Sequence, residues 1–173
     1  PYCSGVCCMS AIKNALLIRE KYPETEVTLL YMDIRAHGKG YEEYYQRAID
    51  AGIRFVRGIP GEILECRDTL SIRVEDTEKD EILDLRPDLV VLSVGIWPPA
   101  ESEETARIFS LPLESTGFLK PLHDKIENVA TERPGIYLAG TATQPRDIPD
   151  CVAHAGAAAM RAFLDVTREG SAE

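Results

Sequence analysis

Residues 26–33, EVTLLYMD, are an apolar run that ends in an acid, Asp33, and the run reads as a buried strand. Ahead of it, Val6, Met9, Ile12, Leu16 and Leu17 recur at helical spacing between Ser4 and about Lys21, and Tyr22–Pro23 stops that helix. Behind it, residues 34–40 hold two glycines and read as a loop. Tyr41 to Ala51 reads as a second helix closed by Gly52, and Ile53 to Arg57 as a second strand. Helix, strand, helix, strand is the rhythm of an α/β domain. A doubly wound sheet opens on a strand, whereas this sequence opens at the turn after one. The expectation is an α/β domain with its leading strand missing.

Further along the rhythm changes. Glu62–Cys66, Thr69–Glu75 and Glu81–Leu85 are short and alternating, as in an antiparallel β-meander. Leu89–Val94, LVVLSV, is continuously apolar and ends in Gly95 and Pro98–Pro99, the texture of a parallel strand covered by helices on both faces. A short helix follows near Glu103–Phe109, then an extended piece at Gly117–Leu119. A last strand is expected at Ile136–Ala139, ending in Gly140. The final helix runs from about Ile148 to Val166, with an apolar stripe of Ile148, Val152, Ala155, Ala159 and Phe163. Asp147 is its N-cap ahead of Pro149. Small residues, Ala153 and Gly156 to Ala159, leave room for another backbone or a ligand. Residues from Arg168 onward read as a tail, and no internal repeat is evident.

Composition narrows the classes. Of 173 residues, 45% are apolar, enough to fill a core, and the net charge of −10 argues against a binder of phosphate backbones. The longest apolar stretch, Leu89 to Trp97, falls far short of a membrane span. Pro1–Tyr2–Cys3 is not a charged leader region. The chain reads as cytoplasmic and as cut from something longer.

Five cysteines, an odd number, argue against an all-paired secreted framework. Cys66 and Cys151 stand alone and read as small buried hydrophobes. Cys3, Cys7 and Cys8 fall within six residues as C-x3-C-C, a poor way to build a core and a good way to hold a soft metal. Cluster ligands, a zinc or thiol redox site, and inert thiols are the readings this spacing leaves open.

Several segments together resemble a known family. VGIWPP (residues 94–99), GIYLAGT (135–141) and the small-residue helix resemble flavoprotein disulfide reductases of the thioredoxin-reductase type. C-x3-CC opening a helix, YMDIRAHGKGYEEYY (31–45) and AGTATQPRDIPDCVAHAGAAA (139–159) resemble the A subunit of heterodisulfide reductase and its relatives. The resemblance runs from Tyr2 to about Phe163. It implies an oxidoreductase subunit that carries electrons between FAD and [4Fe-4S] clusters in anaerobic metabolism, alongside other subunits of a heterodisulfide reductase-like complex. By this resemblance residues 1–96 would be a Rossmann-like, nucleotide-binding-type (nicotinamide-type) domain with an antiparallel β-meander, lacking its first strand and carrying the cluster-binding Cys motif, and residues 97–173 the C-terminal segment of an FAD-binding domain.

The resemblance gives the motifs roles. In a pyridine-nucleotide domain, a glycine-rich turn brings the pyrophosphate to the first helix's N-terminus. Here the turn carries Cys3, Cys7 and Cys8, and G-x-G-x-x-G occurs nowhere. Thiols suit an anionic cluster, which the same helix end favours. A cubane needs four thiolates, and the resemblance puts the fourth outside this chain. Lys13 sits between Met9 and Leu16–Leu17 in the apolar stripe, either snorkelling outward or supplying a cation near the flavin. Asp33 stands where a Rossmann domain has its ribose-binding acid, or it pairs with Arg35 or caps a neighbouring turn. Gly140–Thr141 replaces the Gly–Asp of many related flavoproteins, and Asp147, Ile148 and Pro149 would steer the last helix toward the flavin. The segment alone is expected to lack turnover, to retain neither cofactor and to self-associate through exposed surfaces. The alternatives are a non-catalytic zinc or thiol scaffold and an NAD(P)H-binding domain.

Overall fold

The computed structural model describes residues 2–67 and 69–169. Residues 170–173, the end of the expected tail, lie outside them. The chain divides into two compact units: one is Cys7–Val94, and the other joins the residues before Cys7 to those from Gly95 onward.

In the Cys7–Val94 unit, α1 (Cys7–Lys21) is followed by β1 (Thr28–Tyr31), α2 (Tyr41–Asp50) and β2 (Arg54–Arg57). β1 and β2 pair in parallel, Thr28 opposite Arg54 and Tyr31 opposite Arg57. Ile12 and Ala15 of α1, Ala48 of α2 and Ile53 form the core between helices and strands, and Leu16, Leu29, Tyr45 and Phe55 pack around it. This is the expected α/β rhythm, because a strand pair and two helices bury their apolar stripes against one another.

β3 (Pro60–Cys66), β4 (Thr69–Asp76) and β5 (Glu81–Leu85) form the antiparallel meander, in the order β3-β4-β5. Its register to β2 is held at a close approach. The N–H and hydroxyl of Thr77 both donate to the Arg57 carbonyl at 2.8 Å. A Cβ placed on Gly58 would stand 2.0 Å from the Glu75 carbonyl oxygen, so this backbone crossing admits only glycine.

Two strand expectations are corrected. Leu89–Val94 is not a strand: it forms no ladder among the described residues, and Leu89 and Val91 are 75% exposed. A strand is a shared structure, and among the described residues no strand pairs with LVVLSV. Ile136–Ala139 makes only an isolated bridge, Tyr137 opposite Ala130, beside a 2.8 Å bond from the Leu138 N–H to the Val129 carbonyl.

The second unit contains α3 (Ser102–Phe109), a 3₁₀ turn at Gly140–Ala142 and α4 (Ile148–Glu169), so the helix continues through the first positions read as tail. Ala106, Leu111, Leu119 and Leu138 form its core. The opening residues are stitched into this unit. Tyr2 donates its hydroxyl to the Ile96 carbonyl at 2.9 Å, and its ring meets Trp97 and Phe118. The Ile96 N–H donates to Ser4 Oγ at 2.8 Å, and a Cβ on Gly95 would come within 2.4 Å of that oxygen.

α4 carries a third correction. Its expected packing stripe is exposed: Ile148, Val152, Ala155, Ala159 and Phe163 all face away from the unit. His154 and Ala158 are buried instead, with Cys151, Arg161 and Asp165 half-buried along the same face. Both faces have helical period. The buried one is selected by polar pairing: Tyr137 donates to Asp165 Oδ2 at 2.8 Å, and Arg161 bonds Asp165 and Glu127.

Candidate functional site

Two places hold the residues singled out by sequence. The first is the N-terminal end of α1. Cys7 and Cys8 are its first two residues, and its first turn has no acidic side chain. The helix end therefore presents its positive dipole beside two thiols, with no carboxylate in its own first turn. The surrounding chain holds it there. Ser93 Oγ donates to the Cys7 carbonyl at 3.3 Å, and Cys8 Sγ contacts the Asp33 carbonyl at 3.7 Å, just past β1. Asp33 itself forms an ion pair with Arg35 at 3.0 Å, both side chains more than half exposed and screened by solvent. Tyr31, Met32, Arg57 and Thr77 edge a cleft of about 330 Å³ at the carboxyl ends of β1 and β2.

Cys3 belongs to the other unit, where it is exposed, and the Gly5 N–H donates to its sulfur at 3.4 Å. No disulfide occurs among the described residues, and no three His, Cys, Asp or Glu side chains are grouped as metal ligands among them. Lys13 is exposed on α1. The buried face of that helix runs through Ile12 and Ala15, so the expectation that Lys13 lies inside the apolar stripe is corrected.

The second place is the corner between the 3₁₀ turn and α4. Gly140 opens the turn at φ +60°, a left-handed conformation that glycine adopts without strain. Thr141 is exposed and Thr143 buried. Asp147 caps α4 as expected, its Oδ1 accepting the Asp150 N–H at 2.8 Å. Pro149 has no N–H to offer, the Cys151 N–H goes to the Asp147 carbonyl, and Ile148 is 80% exposed.

Two residues that sequence reasoning passed over complete this corner. Arg146 donates to the Gly140 carbonyl at 2.6 Å and to Thr143 Oγ1 at 2.8 Å. Buried His154 sits 3.4 Å from the guanidinium and 3.1 Å from the Asn128 carbonyl through the same ring nitrogen, Nε2. A carbonyl acceptor requires the proton on Nε2, which leaves Nδ1 a buried lone pair with no donor. Burial first, and then the Arg146 charge, hold the His154 pKa below its usual value, against the pull of the Asn128 bond. Burial also lowers Arg146, despite the opposing influence of Cys151 and Asp150. The overlooked signal was spacing: Cys151, His154, Ala158, Arg161 and Asp165 repeat at helical period, hidden by polar side chains.

The sequence of this chain is 51% identical over 170 residues to the A subunit of the H(2):CoB-CoM heterodisulfide,ferredoxin reductase of Methanothermobacter thermautotrophicus, covering 97% of this chain and 26% of that protein. Over almost its whole length this chain resembles part of the heterodisulfide reductase A subunit. The second iron-sulfur A subunit of the CoB--CoM heterodisulfide reductase of Methanopyrus kandleri is 50% identical, covering 94% of this chain and 25% of that protein. The chain thus spans about a quarter of the length of these heterodisulfide reductase subunits. No family model matches it. Among solved structures, the thioredoxin reductase of Lactococcus lactis covers 92% of this chain and 50% of its own at 23% identity and a TM-score of 0.67. That of T. acidophilum covers 82% of this chain and 45% of its own at 19% identity and a TM-score of 0.62. Those likenesses agree with the α/β, thioredoxin-reductase-like fold. No helix among the described residues is long and apolar enough to cross a membrane.

Proposed function

We propose that this chain is the portion of an oxidoreductase resembling the heterodisulfide reductase A subunit in which electrons pass between FAD and an iron–sulfur cluster, with Cys3, Cys7 and Cys8 as cluster ligands. The observation that carries the reading is the pair of thiols in the first turn of α1, a turn with no acidic side chain of its own. The donor set fits in chemical type, since thiolates are the usual ligands of iron–sulfur clusters. A [4Fe-4S] cluster needs a fourth thiolate, assigned here to a cysteine outside this chain.

Once bound, FAD would supply two-electron chemistry and the cluster one-electron transfer. The chain's own part is to bind and to bias. The α1 dipole favours an anionic group at Cys7 and Cys8. The Gly5 N–H bonded to Cys3 Sγ stabilises charge on that sulfur. Ser93 fixes the helix end by holding the Cys7 carbonyl. Gly140, Thr141, Asp147, Ile148 and Pro149 are assigned to the flavin. Their fit rests on the left-handed Gly140 turn, the exposed Ile148 and the unpartnered Nδ1 of His154 in the same corner. Lys13, on the exposed face of α1, is assigned to the flavin as a cation. The partners are the other subunits of a heterodisulfide reductase-like complex, and the compartment is the cytoplasm.

The test is the full-length protein purified without oxygen and assayed for flavin, iron and acid-labile sulfide. A brown flavoprotein is expected, and Cys7→Ser or Cys8→Ser should lower its iron and broad visible absorption while leaving flavin bound. A colourless protein holding zinc would overturn the assignment in favour of a scaffold. Saturable NADH binding that leaves the iron content of the cysteine variants unchanged would favour a dinucleotide domain.

A further inference from the structure

The corner holding Arg146 and His154 concentrates charge. Arg146 donates to a carbonyl and a hydroxyl and abuts an imidazole, and none of these partners is a carboxylate. Its hydrogen-bond partners are therefore uncharged, and the Asp150 carboxylate acts on it only through space. His154, 6% exposed, backs the guanidinium with a neutral ring clamped to Asn128. Two cations 3.4 Å apart in a half-buried corner repel, so the imidazole stays neutral and the arginine carries the charge. Three positions at the start of α4 offer an anion no free N–H. Asp147 spends its carboxylate on the Asp150 N–H, Pro149 has no donor, and the Cys151 N–H is used within the helix.

We propose that Arg146 is a positioning residue for the flavin. It braces the Gly140–Thr143 turn and supplies a positive charge that favours the reduced flavin over the oxidised one. The inference rests on the flavin reading above. A reduced flavin whose N1 is unprotonated carries one negative charge more than the oxidised ring, and fixed charge near N1 sets the potential. Thr141, directly after the turn glycine, is neutral, and the guanidinium is bonded to the glycine carbonyl, so the charge held at this turn is positive. His154 acts through Arg146, closing the space behind it without adding charge.

The test is spectroelectrochemical titration of the full-length flavoprotein carrying Arg146→Met, Arg146→Gln or Arg146→Lys. The two neutral variants should bind flavin with a more negative potential. A tenfold loss in the relative stability of the reduced form corresponds to about 30 mV for a two-electron couple. Arg146→Lys should stay near the unsubstituted protein. Unchanged potentials in the neutral variants would overturn the role of Arg146 while leaving the flavin reading intact. A lysine variant shifted as far as the methionine variant would do the same, since shape rather than charge would then matter. An unsubstituted protein that binds no flavin would remove both. Failure of the neutral variants to fold would assign the charge to the fold and overturn the proposal.

Discussion

Ser93 Oγ donates a 3.3 Å hydrogen bond to the carbonyl oxygen of Cys7, joining residues 86 apart in the chain. It lies where an extended, unpaired run meets the first turn of α1. A hydroxyl there does for the helix end what a neighbouring strand does not, holding LVVLSV against the thiol-bearing turn.

Ser93→Ala should cost about 0.5–1.5 kcal/mol, the ordinary net worth of one hydrogen bond. Urea denaturation followed by circular dichroism reads the change. A loss below the error of that measurement would mean that water replaces the hydroxyl at no cost.

Two glycine substitutions should move stability in opposite directions. Gly58→Ala sets a Cβ 2.0 Å from the Glu75 carbonyl oxygen, a backbone atom that no side-chain rotation can move aside. Relief requires the β2–β4 crossing to open, at a cost of about 1–3 kcal/mol. Gly156→Ala, in the interior of α4 with nothing within 4 Å of its Cβ, should stabilise by about 0.5–1 kcal/mol. Thermal unfolding of the two variants side by side checks both signs.

His154 makes the Gly95-onward unit sensitive to acid. Its folded pKa lies below the ordinary value of 6.5, because burial and then Arg146 disfavour the imidazolium. The unfolded chain therefore binds the proton first. The contribution is fully present above pH 6.5 and is lost as pH falls through the folded value. Arg146 and the Asn128 carbonyl face the ring, and Asp150 and Cys151 lie close to that guanidinium. The midpoint of thermal unfolding should drop between neutral and mildly acidic pH, and His154→Gln should flatten that part of the profile. An unaltered profile in the variant would assign the acid sensitivity to other groups.

Tyr31 acts at the alkaline end. Its pKa is pushed up to about 12 by burial, then by Tyr45 and Glu78, whose carboxylate accepts its hydroxyl at 3.2 Å. The unfolded chain gives up this proton near 10, so stability from Tyr31 is intact below that pH and declines as pH rises toward 12. Tyr31→Phe should remove part of the ultraviolet phenolate titration near pH 12. Full retention of that step in the variant would contradict the assignment.

Much of the Cys7–Val94 unit was legible in its residues. EVTLLYMD, the helices on either side and the meander follow from local period and turn residues, and Asp147 was legible as a cap. The same period misled on α4. Ile148, Val152 and Phe163 form the more apolar stripe, yet His154, Arg161 and Asp165 lie on the packed side because their partners, Asn128, Glu127 and Tyr137, sit elsewhere in the unit. Lys13 was misplaced for a related reason: Met9 and Leu16 flank it along the chain, while the buried line runs through Ile12 and Ala15.

By itself the sequence determined which segments are helical, where the parallel pair and the meander lie, that two thiols open α1 and where a capped helix begins. These are short-range properties, set by backbone geometry and residue spacing. Only the tertiary structure decided that LVVLSV stays unpaired, which face of α4 is covered, and that Arg146 reaches Gly140 with His154 behind it. Each of those depends on a neighbour distant in sequence, and hydrogen bonds and packing are satisfied between partners that no local pattern names.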